Sequence, residues 1–573
     1  MSTTELPQPA ARTEFGAAYT ERGASRSEFG AARWLVPSWD GLACILFGAV
    51  VIIALLTFQD YGVTWDEDGH NWYGVFVLNY YVSGFSDLRS LHWMDFYNYG
   101  AVFDSIAAAL NTISPFGTYE TRHLLNAMVG VVGLVGTWKL GRTLGGPRAG
   151  FLAALFLALI PNYYGQMFNN PKDIPFAAGA VWAVYYLVLI IPSLPRPRWQ
   201  LVLKLGLACG LTLGVRVGGL LLFGYLGLLL SLFALWRGLE TRRVGMFFRE
   251  GIVGGFRVFI PVIAIAYPVM LIFWPWAQHG PIANPLSALA TFSHQEFPFR
   301  TLFAGHYIMA ADLPWTYLPV HILLALPEIV LLLLVASPFV ALYLLWRDFG
   351  AIGRNRVLMR FMVAFTILFP VCYAIAIKAV LFDGMRHFIF VLPPIAAVAA
   401  LLADRAWQKL SAPRVRHAAF AVLVLYGFAH IATMAQLHPD EYVYYNAFIG
   451  GTKGAQGLFK LDYWANSYDE AVHGLRDYLK AEYGGDFMDR DFTVAVCGPP
   501  GSAAYYFPPN FIFTEDHENA DFFIAFTKDD CDKSLPGTVV YRVERMGTLL
   551  SLVLDRRAIV AGARRPGMLA GAN

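Results

Sequence analysis

The apolar residues of this chain gather into eleven segments near the length of a bilayer-spanning helix, about 20 residues, and that grouping excludes an ordinary soluble fold. The segments are Gly41–Phe58, Leu124–Leu140, Ala149–Ile160, Ile174–Ile191, Leu201–Leu213, Gly218–Trp236, Val258–Trp274, Val320–Trp346, Phe361–Val380, Phe388–Ala403 and Ala418–Leu437. The shorter ones must be tilted or completed by polar ends. Only 15% of the 573 residues are charged, where a soluble protein carries roughly 25%. The chain reads as mainly α, a polytopic membrane protein of about eleven transmembrane helices. Its net charge of +2 is too small to point to a nucleic-acid partner.

Lysine and arginine in the short loops orient the helices, because cytoplasmic loops are enriched in them. Arg33, then Lys139 to Arg148, Arg196 to Lys204, Arg237 to Arg257, Arg347 to Arg360, and Arg405 to Arg416 fall in alternate connections, which read as cytoplasmic. The other set contains the long loops 60–121 and 275–319. Residues 1–40 read as a flexible cytoplasmic tail. An odd number of helices puts the C-terminus outside, which in a bacterium is the periplasm, so the expected location is the inner membrane.

Against that map the charges at the outer helix mouths stand out. Asp66, Glu67 and Asp68 follow the first helix in Thr64-Trp-Asp-Glu-Asp-Gly-His70. Carboxylates at such a position are expensive to place unless something uses them. Asp173, after Lys172 in Asn169-Asn-Pro-Lys-Asp173, precedes the fourth helix, where it is either a helix cap or a functional group. Arg216 sits in the tight turn Gly214-Val-Arg-Val-Gly218, and Lys378 and Arg386 bracket another short turn. Cations held at this surface are candidates for binding a lipid phosphate, the alternative being arginines that snorkel to headgroups. His70 and His387 are possible accessory groups. His70, His279, His294, His306 and His387 have spacings that match no metal-ligand pattern, so no metal or other cofactor is expected, a divalent ion being the minor alternative. Trp65, Trp72, Trp93, Trp274, Trp276 and Trp315 read as an interfacial belt.

From His438 the hydropathy drops and acidic residues outnumber basic ones. The stretch Ser467–Tyr483 has helical spacing, and the runs Phe492–Cys497, Phe511–Phe513, Phe522–Phe526, Val539–Val543 and Leu549–Leu554 read as short strands. Residues 438–555 are therefore a small periplasmic α/β domain with no recognisable catalytic set, and 556–573 a loose tail. Cys497 and Cys531 could pair in an oxidising compartment.

Residues 41–437 resemble the GT-C superfamily of membrane glycosyltransferases, nearest to the protein O-mannosyltransferase and aminoarabinose-transferase type. Four features carry the resemblance: Asp66-Glu67 after the first helix, Asp173 before the fourth, Arg216 after a Gly-rich apolar run, and Arg386-His-Phe-Ile-Phe-Val-Leu-Pro-Pro394. The resemblance implies a polyprenyl-phosphate-linked sugar as donor, a lipid, glycan or protein hydroxyl as acceptor, and transfer by inverting displacement. It casts Asp66 as base, Glu67 and Asp173 as further acidic residues, and Arg216, Lys378, Arg386 and Lys172 as phosphate ligands. The competing classes are a transporter or flippase for a polar lipid, and a non-catalytic envelope assembly protein.

Overall fold

Apolar length decides which helices can cross. The structure, a computed structural model, describes residues 38–294, 299–347 and 353–563. Nine of the described helices are long and apolar enough to span a membrane, or ten if one bent pair forms a span. In chain order the helices are α1 (Trp39–Thr57), α2 (Glu67–Val82), α3 (Val102–Asn111), α4 (Thr118–Gly145), α5 (Pro147–Ala158), α6 (Pro161–Asn169), α7 (Asp173–Ile190), α8 (Trp199–Leu213) and α9 (Leu220–Thr241). Then come α10 (Val244–Gly254), which runs through a π turn into α11 (Ile260–Ile272), and the short α12 (Pro275–His279) and α13 (Ala283–His294). After the hairpin β1 (Arg300–Phe303) and β2 (His306–Met309) follow α14 (Tyr317–Ala325), α15 (Glu328–Arg347), α16 (Arg354–Ala376), α17 (Leu392–Lys409) and α18 (Pro413–Leu437).

Each of the eleven apolar segments lies in or on these helices, three of them as a bent, a short and a broken helix. The pair α5–α6 bends by 66° where Pro161 starts a new helix. Helix α8 has 15 residues, short for a bilayer core. Segment 320–346 is broken between α14 and α15 at Leu326-Pro327.

Residues 1–37 of the expected tail lie outside the described residues, as do 564–573 of the expected C-terminal tail. The rest of that second tail is ordered as α22 (Arg557–Ala563), where Arg557 pairs with Asp555 at 2.6 Å and Glu482 at 2.8 Å.

The C-terminal region adds α19 (Gly451–Ala455), α20 (Tyr468–Tyr483), α21 (Pro500–Ala504) and the strands β3 (Phe492–Val496), β4 (Phe511–Phe513), β5 (Phe522–Phe526), β6 (Thr538–Arg545) and β7 (Thr548–Asp555). They form one five-stranded sheet in the order β4-β3-β5-β7-β6, parallel on the β4-β3-β5 side. Central β5 is buried at every residue, which explains its unbroken apolar run. Strands β6 and β7 are joined by Met546-Gly547, both at positive φ, as a tight hairpin demands. Cys497 and Cys531 form a disulfide.

This region docks on the helix mouths through buried polar contacts, and the described residues from Trp39 onward form one compact unit. The Asn169 side-chain nitrogen donates to Asn466 Oδ1 at 2.8 Å, and within the region Asp462 accepts hydrogen bonds from the Tyr442 hydroxyl (2.5 Å), the Ala465 amide (2.7 Å) and the Ser467 hydroxyl (2.6 Å). The Asn466 side chain accepts from the Gly62 amide (2.9 Å) and donates to Asp440 (2.6 Å). A side chain at Gly62 would meet the Asn466 carbonyl at 2.2 Å, so only glycine admits this approach. At the far end of the bundle Arg142 pairs with Asp40 (2.9 Å), Arg148 with Asp404, and Arg354 with Glu240 (3.2 Å).

Candidate functional site

The three consecutive carboxylates are separated by the start of α2. Just ahead of α2 the Thr64 amide donates to Glu67 Oε2 at 2.8 Å and its hydroxyl lies 3.0 Å from the same oxygen, while the Glu67 amide donates to the Thr64 carbonyl at 3.1 Å. Glu67 is 1% exposed and its carboxylate also meets His123 Nε2 at 3.1 Å. Asp68 accepts the Tyr119 hydroxyl at 2.8 Å. Asp66 remains, and it lines a cavity of about 310 Å³ between the helix mouths and the C-terminal domain.

Cations face Asp66 there. Arg386 Nη1 lies 3.3 Å from Asp66 Oδ2. Lys172 lines the same cavity, its ammonium 4.3 Å from the centre of the Tyr99 ring and 4.8 Å from that of Phe96. Arg386 rests against Phe382 and Trp464, 4.9 and 5.1 Å from their centres. Burial alone would raise the Asp66 carboxyl, but Lys172, Arg386, His70 and Lys528 outweigh it and hold the group well below the usual carboxylate range.

The turn with Arg216 is placed by a close backbone approach. The Val102 amide donates to the Gly214 carbonyl at 3.0 Å, and a side chain at Gly100 would strike that carbonyl at 2.1 Å. Arg216 pairs with Asp173 at 2.7 Å and lies 5.7 Å from the centre of Tyr99. The side chain of Asn170, not Asp173, caps α7: its oxygen accepts the Asp173 amide at 2.9 Å, and its nitrogen donates to Asp173 Oδ2 at 2.9 Å. The Nε atoms of Arg386 and Arg216 are buried without a hydrogen-bond partner.

Other candidates stand apart from the cavity. Lys378 is exposed, just beyond the end of α16. His387 packs edge-on against Phe382 at 4.9 Å. His70 is buried behind Phe96; its Nδ1 lies 2.7 Å from Asp104, which in turn binds Arg122 at 2.5 Å. Burial pushes the His70 imidazole down to about 4, so it is neutral at ordinary pH. The side chain of His294 lies outside the described residues. Among the described residues no three His, Cys, Asp or Glu side chains group as a metal site. The tryptophans are not all a belt: Trp65 lines the cavity, and Trp274 is fully buried with its indole N–H on the Tyr97 carbonyl at 2.8 Å.

The opposite wall of the cavity was missed by sequence reasoning, which expected no site residues after His438. Lys460, Trp464, Lys528 and Asp529 of the C-terminal region line it, with Asp383 of the turn before Arg386. Lys460 and Lys528 lie 3.5 and 3.8 Å from Asp383 Oδ1, and Lys460 lies 3.9 Å from Asp529. Burial would raise Asp383, but Lys528, Lys460 and Arg386 hold it below its ordinary value. The disulfide at Cys531 ties down the loop that carries Lys528 and Asp529. One local signal existed: Asp383-Gly384 is a turn dipeptide, and both residues have positive φ.

Residues 104–274 match the family described as dolichyl-phosphate-mannose-protein mannosyltransferase. Asp173 and Arg216 fall inside that match; Asp66 and Arg386 lie outside it. Among solved structures the chain is similar to ArnT from Cupriavidus metallidurans bound to undecaprenyl phosphate, with 13% identity over 90% of this chain and 98% of that one and a TM-score of 0.48. It is also similar to the Archaeoglobus fulgidus oligosaccharyltransferase, with 12% identity, 80% and 63% of the two chains covered and a TM-score of 0.41. A third is the arabinosyltransferase EmbB from Mycobacterium smegmatis, with 14% identity, 67% and 32% covered and a TM-score of 0.37. No curated protein matches the sequence.

Proposed function

We propose that this chain is a membrane glycosyltransferase that moves a sugar from a polyprenyl-phosphate donor to a hydroxyl acceptor, with inversion at the anomeric carbon. The observation that carries the reading is Asp66 facing Arg386 and Lys172 in an aromatic-walled cavity above membrane helices. Buried guanidinium groups with unfilled N–H capacity suit a phosphate, which accepts several charge-assisted hydrogen bonds. An apolar groove of about 400 Å³, lined by Phe103, Val129, Pro175, Leu211 and Val215, begins beside Asp173 and Arg216 and suits the polyprenyl chain. The family match over 104–274 agrees with this donor class.

In the step itself, the acceptor oxygen bonds to the anomeric carbon as its proton passes to Asp66. The carbon–oxygen bond to phosphate breaks, and its electron pair leaves with the polyprenyl phosphate. Asp66 is a weak base while Arg386 pairs with it. A phosphate that draws Arg386 and Lys172 to itself raises the basicity of Asp66, so donor binding prepares the base. The developing charge on the leaving phosphate is met by the same cations.

The site face is read as periplasmic and the membrane as the bacterial inner membrane. Three observations support this: the disulfide in the domain on that face, the arginines clustered at the other end, and the termini of the bundle. Asp40 at the start of α1 pairs with Arg142 at the arginine-rich end, whereas His438 after α18 contacts Asp60 at the site end. An odd number of crossings has that arrangement.

Arg386→Ala tests the phosphate assignment. Loss of a charge-assisted hydrogen bond, on the order of 1.5–3 kcal/mol, predicts a roughly 10- to 150-fold loss in kcat/KM for the donor, with the acceptor KM little changed. An unchanged donor dependence sends the phosphate elsewhere.

A further inference from the structure

A second built feature lies in the membrane wall, away from the cavity, and does not depend on the catalytic reading. Helices α15, α16 and α17 leave an apolar groove of about 430 Å³ between them. Helix α15 is a loose neighbour, with Val330 as its only buried residue. Pro338 removes a helical donor in its middle, and the Ser337 hydroxyl takes the orphaned Leu334 carbonyl at 2.8 Å. All three residues line the groove, opposite Ile367, Val371 and Val398.

The far end of the groove carries Arg360, two turns into α16, and Arg405, near the end of α17. Both are half-buried, and Arg360 is within electrostatic range of Arg356 and Arg405. Neighbouring charges are already engaged. Asp404 is held by Arg148 and by Gln408 (2.6 Å), and Glu240 by Arg354 (3.2 Å). Among the described residues neither Arg360 nor Arg405 makes an ion pair or hydrogen bond. Two like charges with no counter-ion among the described residues, set at the mouth of an apolar channel, call for an amphiphile with an anionic head.

We propose that this groove binds an anionic phospholipid of the leaflet opposite the catalytic cavity, its phosphate between Arg360 and Arg405 and an acyl chain running up between α15 and α16. Bulk snorkelling would leave the arginines in contact with any lipid, without stoichiometry or head-group preference.

The full chain, purified in detergent, is incubated with dioleoyl phosphatidylglycerol or dioleoyl phosphatidylcholine and examined by native mass spectrometry. The wild-type chain is expected to retain phosphatidylglycerol roughly tenfold better than phosphatidylcholine, and Arg360→Gln with Arg405→Gln to lose that preference. Equal retention of the two lipids by the wild type, or an unchanged preference in the double variant, overturns the proposal. Because the double variant could fail to insert, photoactivatable phosphatidylglycerol is also crosslinked to the wild-type chain. Crosslinks within 334–341 or 363–372 are expected. Crosslinks confined to other helices, or abolished by an excess of polyprenyl phosphate, overturn the proposal.

Discussion

Among three adjacent carboxylates, only Asp66 lines the cavity, where it faces Arg386 and Lys172; Glu67 and Asp68 are turned to Thr64, His123 and Tyr119. Glu67 serves the first turn of α2 and the partner helix α4 through Thr64 and His123. Its substitution is therefore expected to act on stability: Glu67→Gln, which weakens the contacts with Thr64 and His123, should lower the melting temperature, a loss of about 1 kcal/mol in stability, while turnover per folded molecule stays near normal. Differential scanning of the variant beside its specific activity checks this, and full stability with lost turnover would move the base to Glu67. The acidic triplet is conspicuous in the sequence, but its spacing does not say which of the three carboxylates the fold engages. What spacing could not supply was the direction of Asp66, which depends on Arg386, 320 residues away. Lys378 looked equivalent to Arg386 by position; the turn exposes one and buries the other.

Elements were more legible than residues because their periods are local. The five short apolar runs after His438 are the five strands, and 467–483 is α20. The apolar segments are helices, but composition alone missed the bend at Pro161 and the break at Pro327, which set where polar backbone can surface. The joint between α18 and the C-terminal region is an ion triad: His438 lies 2.9 Å from Glu441 and 3.0 Å from Asp60. Burial opposes its charge, but Glu441 and Asp60 prevail and raise the imidazole from 6.5 to about 9. A raised folded-state value stabilises the protonated form, so the contribution is complete below pH 6.5 and fades as pH climbs through about 9. Melting temperatures of wild type and His438→Gln should differ most below pH 6.5 and converge above about 9. A gap that stays constant across that window would remove His438 from the joint.

At the scale of the whole molecule, the cavity is a product of docking. Asp66, Lys172 and Arg386 come from three separated helix mouths, and Lys460, Trp464 and Lys528 close the space from a region read as free of site residues. No local pattern announces such a wall, since its residues converge only when contacts such as those of Asn466 with Gly62 and Asn169 seat the domain. Removing everything after residue 465 takes away Lys528 and Asp529 but keeps Lys460 and Trp464. Both transfer and water hydrolysis of the donor should fall in that truncated chain, and normal hydrolysis in a membrane-inserted truncation would confine the domain to acceptor handling. We propose that Asp66 acts as base against a donor held by the facing cations. This role is tested most directly in proteoliposomes containing purified chain, by following release of polyprenyl phosphate from a lipid-linked sugar in wild type and Asp66→Asn. With Asp66 as base, turnover should fall roughly 10²- to 10⁴-fold with donor binding retained; turnover within a few-fold of wild type in a folded Asp66→Asn protein would remove Asp66 from that role.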